Sequence, residues 1–428
     1  MRIAYFVWEY PPRLVGGLGT YADEITRQFA AKGHEISVFT MNDGSRLPTY
    51  EMMGEIEVHR PITTDATEVL PLFSNDELKR WGLGLGFFSD ILMHNIVIAN
   101  KFVNQVSKKK KLDLIACHDW LSSIAGLISK KATGLPLVLH MHSSEFGRMG
   151  ERGSGTVRGI EHYAGNHADR VITVSHFMKR ELTHLGFPQN RISVVWNGVD
   201  EKKYDMSRLS VEGLKAFRER NGFSQEDRIV MFTGRLTPVK GIDTLLKAMP
   251  AILEKSPRAK LVVLGKGELE EDMRSLAKNL GIEKNVMFIN RWVDEEERVM
   301  LYASSDILCA PSRYEPFGIV PLEAMSLGKP VVVGLGGLRE TVQDEVNGLH
   351  SDPDDPASIA EKVTRILGDK ALANKLGYAA RNRIVLVYRW EEIAKKTMAV
   401  YEKTAFENTA EDGNTAAPSV HSGSLEAR

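Results

Sequence analysis

Cysteine is nearly absent: the 428 residues include two, Cys117 and Cys309. That excludes a disulfide framework or a cysteine-rich zinc site, and it fits a reducing cytoplasmic compartment. A surplus of charge is missing as well. The chain has 55 Lys+Arg against 56 Asp+Glu, a formal net charge of −1. Proteins that work mainly on nucleic acid carry a basic excess, so that partner class is set aside. No uncharged apolar run is long enough to span a membrane. The apolar N-terminus stops at Pro11-Pro12 with no signal-peptide cleavage pattern. Hydrophobic residues make up 43% and charged residues 26%, an ordinary globular composition with chain enough for two domains.

What is present is alternation. Residues 2–8 read as a buried strand, followed by a Pro/Gly-rich loop, a helix over about 18–31 closed by Gly33, and a strand over 35–40. Strands near 113–117, 136–141, 170–174 and 192–195 alternate with helices over 121–131, 156–167 and 176–185. A second series places strands near 229–233, 260–264, 286–289, 306–310 and 330–333. Residues 43–110 read as irregular apart from a helix near 87–106, and 200–225 as polar with no strand. Strands alternating with helices predict parallel sheets covered on both faces. The fold class is therefore α/β, with two doubly wound domains over 1–200 and 201–387. The small polar residues of 407–428 bury too little to order, so a disordered tail is expected there. Ligands of such sheets bind beyond the C-terminal ends of the strands.

The chemistry-bearing motifs fall at those ends. Val15-Gly16-Gly17-Leu18-Gly19 follows the first strand and opens a helix. Glycines let amides approach an anion, yet the pattern is not the dinucleotide fingerprint, and a tight turn without ligand is the plain alternative. Thr233-Gly234-Arg235 through Lys240-Gly241 sets two cations after the first strand of the second series. Fixed cations there suit a leaving diphosphate, whereas solvated surface charges are the plain alternative. In Pro311–Glu323, Pro321 sits in a first helical turn and leaves the amides of Gly318, Ile319 and Val320 free for an anion. Glu315 and Glu323 offer carboxylates for sugar hydroxyls and a ribose diol; a capping and a solvated glutamate would look the same.

His140 and His142 point the same way at a strand end, but no third ligand is evident, so no metal is expected. His118-Asp119-Trp120 adds groups to the same edge, with His118 and Asp119 expected on the acceptor or sugar side, and Asp119 reads equally as a helix N-cap. Asp352-Pro353-Asp354 has the spacing of a metal-dependent sugar transferase, but Asp355 as N-cap before Pro356 accounts for it. Lys108–Lys111 reads as a solvated helix end, or, with Phe87 and Phe88, as a membrane-facing surface.

These residues resemble glycosyltransferase family 4, whose members are retaining nucleotide-sugar transferases of the GT-B fold. The resemblance covers about residues 1–405. It rests on Glu315-x7-Glu323 within Pro-Ser-Arg-Tyr-Glu-Pro-Phe-Gly-Ile-Val-Pro-Leu-Glu-Ala-Met, then Gly328-Lys329-Pro330-Val331-Val332, Gly234-Arg235 with Lys240-Gly241, Asn197-Gly198-Val199-Asp200, and Gly336-Gly337-Leu338-Arg339-Glu340. The resemblance implies that Glu315 contacts the donor sugar, Glu323 holds the ribose, and Arg235 and Lys240 neutralise the diphosphate. Amides after Gly318 assist, Gly17 lies near the phosphates or the acceptor, and His142, in His-Ser-Ser-Glu-Phe-Gly-Arg, lies beside the transferred sugar. It also implies that a helix over 388–406 crosses back to the first domain.

The family's base-binding loop usually reads Phe-x-Gly. Here Asn290 holds the glycine position before Arg291-Trp292-Val293, and the base is left open. Trp8-Glu9-Tyr10-Pro11-Pro12, Gly16-Gly17 and His118-Asp119-Trp120 look most like the glycogen and starch synthase branch. The expectation is a hexosyltransferase, glucose from ADP- or UDP-glucose to a carbohydrate acceptor, with no cofactor. Its rivals are a mannosyltransferase for a lipid-linked or small acceptor, a sugar-nucleotide epimerase, and a non-catalytic sensor.

Overall fold

Central strands without a polar residue facing water dictate sheets buried on both sides. Leu114–His118 and Leu137–Met141 are buried at every position. The computed structural model describes residues 1–414, apart from Val15, Asp43, Ser45, Arg46, residues 73–75 and Gly82. Eight strands form the first sheet: β1 (Arg2–Phe6), β2 (Glu35–Phe39), β3 (Tyr50–Met53), β4 (Ile56–His59), β5 (Leu114–His118), β6 (Leu137–Met141), β7 (Arg170–Thr173) and β8 (Ile192–Val194). Their order is β3-β4-β2-β1-β5-β6-β7-β8. Among these described strands only β3 runs antiparallel to its neighbour. Six strands form the second: β9 (Arg228–Thr233), β10 (Ala259–Leu264), β11 (Val286–Ile289), β12 (Ile307–Ala310), β13 (Val331–Val333) and β14 (Leu349–His350), in the order β11-β10-β9-β12-β13-β14. Both are doubly wound α/β sheets, as the alternation predicts. Strand order reverses between β1 and β5 in one and between β9 and β12 in the other, and ligand crevices of such sheets open at these points.

Two expectations need correction, and one is filled in. Residues 43–110 are less irregular than they read, because β3 and β4 form a hairpin that extends the first sheet. Tyr50 and Met52 on β3 are exposed, so this edge strand lacks the apolar run that marks a buried one. Residues 200–225 hold a helix, Val211–Arg220, started by Ser210, whose side chain accepts from Gly213 N. The tail does not begin at 407. The last helix runs from Trp390 to Asn414, held at Glu407 by Arg170 at 2.5 Å. Residues 415–428 lie outside the described residues. That helix packs Trp390, Ile393, Met398 and Tyr401 among core residues of β1, β2 and β5.

The helix near 87–106 is Leu83–Lys101, continued by a wider turn over Phe102–Val106. Phe88 is buried against Trp120, Phe87 is half exposed, and Lys110 pairs with Glu57 at 2.6 Å. Among the described residues no helix is long and apolar enough to cross a membrane.

Candidate active site

The two crevices face one another. On the second-sheet side, the loop after β9 packs against the loop after β12. Gly241, at φ +69°, carries no Cβ because one would fall 2.0 Å from Pro311 O. Arg313 ties the two loops, pairing with Asp243 at 2.9 Å and donating to Pro238 O at 2.6 Å. It also meets Asp354 at 2.5 Å. One carboxylate of the Asp352–Asp354 pair is therefore engaged in structure, and Asp355 caps the helix Pro356–Gly368 through Ala357 N. Gly336 and Gly337 lie under the Glu315 loop, where a Cβ would fall 2.4 and 2.0 Å from the carbonyls of Glu315 and Pro316.

This packing brings cations, a carboxylate and a helix start together. The Lys240 ammonium pairs with the Glu315 carboxylate. Arg235 is exposed, and its guanidinium makes no hydrogen bond or ion pair among the described residues. Gly318, at φ +90°, caps the helix Ile319–Ser326. Among the described residues the amides of Gly318, Ile319 and Val320 donate to no acceptor, so the partial positive charge of the helix start is open to a ligand. Gly234 lies at the root of the same loop, its amide bonded to Leu264 O at 3.0 Å. Glu323, in the second turn, is 8% exposed. Its two oxygens accept from Tyr204 at 2.9 Å and Tyr302 at 2.8 Å. Burial first, and then the Glu323 charge, raise both tyrosine pKa values, so the phenols stay protonated donors. Sequence spacing gives no hint of these partners, which lie 119 and 21 residues away.

On the first-sheet side, Gly16 and Gly17 open the helix Gly17–Ala30; Gly16 N donates to Glu9 Oε2 at 2.9 Å. Val15 lies outside the described residues. A Cβ on Gly17 would sit 3.5 Å from Ile319 Cδ1, so Gly17 meets the start of the helix Ile319–Ser326 across the cleft. His142, after β6, is partly exposed, and burial lowers its pKa.

His118, expected on the acceptor or sugar side, is fully buried behind His142, its Nδ1 3.1 Å from His142 Nε2. Nor does Asp119 cap its helix: His118 holds the N-cap position. Asp119 is buried, takes φ +50° and accepts from His142 N at 2.7 Å. A non-glycine residue held there costs about 1–3 kcal/mol and persists only where its surroundings enforce it. The base loop lies after β11, an edge strand. Arg291 is paired with Glu297 and Trp292 is 80% exposed. Val293 is half-buried, and Asn290 donates to Glu270 at 2.6 Å. The Arg291 and Asn290 side chains are thus engaged within the second domain.

Contacts across the cleft also escaped the sequence. Tyr314, beside Glu315, donates to Glu181 Oε1 at 3.0 Å, and Ser144 donates to the same oxygen at 2.5 Å. Glu340 accepts from the amides of His176 at 2.9 Å and Phe177 at 2.5 Å. The two halves are thus closed on each other.

Residues 215–383 match the family model described as glycosyl transferases group 1, and residues 15–203 that of glycosyltransferase family 4. Over 407 residues the chain is 35% identical to an uncharacterized glycosyltransferase of Methanocaldococcus jannaschii, covering 94% of this chain and 98% of that one. The chain belongs to glycosyltransferase family 4. Among other relatives of this glycosyltransferase, a glycogen synthase of Mycobacterium tuberculosis is 28% identical, with 94% of each chain covered. A D-inositol 3-phosphate glycosyltransferase of Catenulispora acidiphila is 30% identical, covering 91% of this chain and 90% of that one. In fold it matches the sucrose-phosphate synthase of Thermosynechococcus elongatus, with a TM-score of 0.75 at 23% identity, over 94% of this chain and 98% of the other. The fold is GT-B, and the glycogen synthase-like branch is among those the chain resembles.

Proposed function

We propose that the chain is a retaining hexosyltransferase that moves glucose from a nucleoside diphosphate sugar to a carbohydrate acceptor, in the manner of a glycogen synthase. One observation carries the reading. Among the described residues, an unpaired Arg235 and three undonated amides at Gly318, Ile319 and Val320 stand in adjoining loops beside the Lys240–Glu315 pair. That arrangement suits a diphosphate, with Glu315 beside the sugar and Glu323 toward the ribose.

In this reading the bond from sugar C1 to the phosphate oxygen breaks while the acceptor hydroxyl attacks C1 on the same face. The hydroxyl proton passes to the departing phosphate oxygen, and the nucleoside diphosphate leaves. Arg235, Lys240 and the amides act on charge that grows as the bond breaks, so they lower the barrier rather than only binding the ground state. Fixed protein cations would supply the neutralisation, with no metal or cofactor required.

The small-acceptor alternative draws on the likeness to the inositol phosphate glycosyltransferase. Product analysis separates the readings. With a glucosyl donor and maltooligosaccharides, mass spectrometry should show added hexose units and proton NMR an α linkage. A β linkage would refute retention. Transfer only to inositol phosphate or other small acceptors would refute the glucan assignment. Product formed only in the presence of lipid vesicles would favour the lipid-linked acceptor.

A further inference from the structure

Three histidines meet beneath the sugar side of the cleft. His118 and His140 face each other on β5 and β6, and His142 follows. One ring nitrogen from each lies within 4.8 Å of the others. Chelation needs lone pairs that converge, and imidazole lone pairs lie in the ring planes. Here the rings are stacked nearly parallel, tilted by 25°, 21° and 14° pair by pair. His118 Nδ1 and His142 Nε2 are engaged with each other, so the cluster is a hydrogen-bonded pair beside His140.

What the stack does contain is one short polar contact, His118 Nδ1 to His142 Nε2 at 3.1 Å. Its direction can be worked out. His118 is fully buried, and among the described residues its Nε2 has no hydrogen-bond partner. Burial disfavours the charged form of both rings, and a neutral imidazole carries one N–H. A proton on His118 Nε2 would leave a buried donor with no acceptor, which costs more than a bare lone pair. The proton therefore sits on His118 Nδ1 and is donated to His142 Nε2. With its Nε2 accepting, neutral His142 carries its own proton on Nδ1, which has no partner among the described residues.

We propose that His118 is a positioning residue that fixes His142 as the Nδ1–H tautomer, so that His142 presents a hydrogen-bond donor to an oxygen of the transferred sugar. The sugar contact rests on the transferase reading; the tautomer does not. Long-range nitrogen–proton NMR of the histidine-labelled full chain, assigned with His118→Asn and His142→Gln, reads the tautomer without substrate. Protonated Nδ1 on both rings is expected; His142 protonated at Nε2 overturns the proposal.

Kinetics test the consequence. His118→Asn keeps an amide donor where Nδ1 stood, and His118→Phe removes it. The Phe variant should lose about tenfold or more in kcat, the scale of one well-placed hydrogen bond, with little change in donor KM. The Asn variant should recover most of that loss. Equal losses in both variants, or none in His118→Phe, overturn the proposal. Absence of turnover with every donor would instead count against the transferase reading, because the NMR result stands apart from it.

Discussion

Closure of the cleft depends on a missing side chain. Gly147 sits in the short helix Glu145–Met149, and a Cβ there would fall 2.0 Å from Tyr314 Cζ and Oη. Ordinary contact begins near 3.4 Å, so Gly147→Ala forces the tyrosine ring back by about 1.4 Å. That breaks the 3.0 Å bond from Tyr314 to Glu181. A hydrogen bond to a carboxylate contributes about 1.5–3 kcal/mol, and overpacking costs about 1–3 kcal/mol. Opening relieves part of the strain, so the closed state should lose about 2–4 kcal/mol. In kcat/KM that is roughly 30-fold to several hundred-fold. Alanine favours a helix more than glycine does, and the clash exists only between the two halves, so the melting temperature should hardly move. The assay is steady-state nucleoside diphosphate release alongside a thermal melt. In a Tyr314→Ala background the alanine should cost nothing further, since the clashing ring is gone. Activity within threefold of the parent, or a loss matched by unfolding, would refute the reasoning.

Other perturbations follow from the same geometry. Arg235→Ala should raise the barrier by about 2–4 kcal/mol, the usual scale for a group that stabilises developing charge, with the fold intact by circular dichroism. Tyr204→Phe and Tyr302→Phe each remove a donor from the buried Glu323 carboxylate. Each should destabilise the protein by about 1.5–3 kcal/mol in denaturant titrations, and the pair should raise donor KM. Buried Glu161 has its pKa raised by burial to about 8, against an ordinary value of 4.5. The folded state therefore holds more protons than the unfolded one between those values, and stability from this group is lost as pH rises through that window. Glu161→Gln should gain on the parent steadily from about pH 5 to 8 in urea melts.

The sheets were legible because their strands are continuous apolar runs set off by amphipathic helices. The site loops were legible because glycines, cations and carboxylates cluster where those strands end. The β3–β4 hairpin was not, since an edge strand with Tyr50 and Met52 in water carries no such run. Neither were the partners of the named residues. Tyr204 with Glu323, Glu181 with Tyr314 and His118 with His142 are joined by the fold, across 119, 133 and 24 residues. No local spacing encodes such pairs. Asn290 is the opposite case: sequence flagged it as a departure, and the structure gives it a partner, Glu270, within its own domain.

The central claim is that the cleft between Arg235, Lys240 and the Gly318 helix start is where a nucleotide sugar is cleaved. Nucleoside diphosphate release from the purified chain tests it, with ADP-, UDP- and GDP-glucose and GDP-mannose, each with and without maltooligosaccharides. The blank is the Arg235→Ala, Lys240→Ala double variant. Glucan-dependent release from a glucosyl donor, abolished in the double variant, is the predicted result. Release that persists undiminished in the double variant would contradict the site, and release from no glucosyl donor would contradict the reaction.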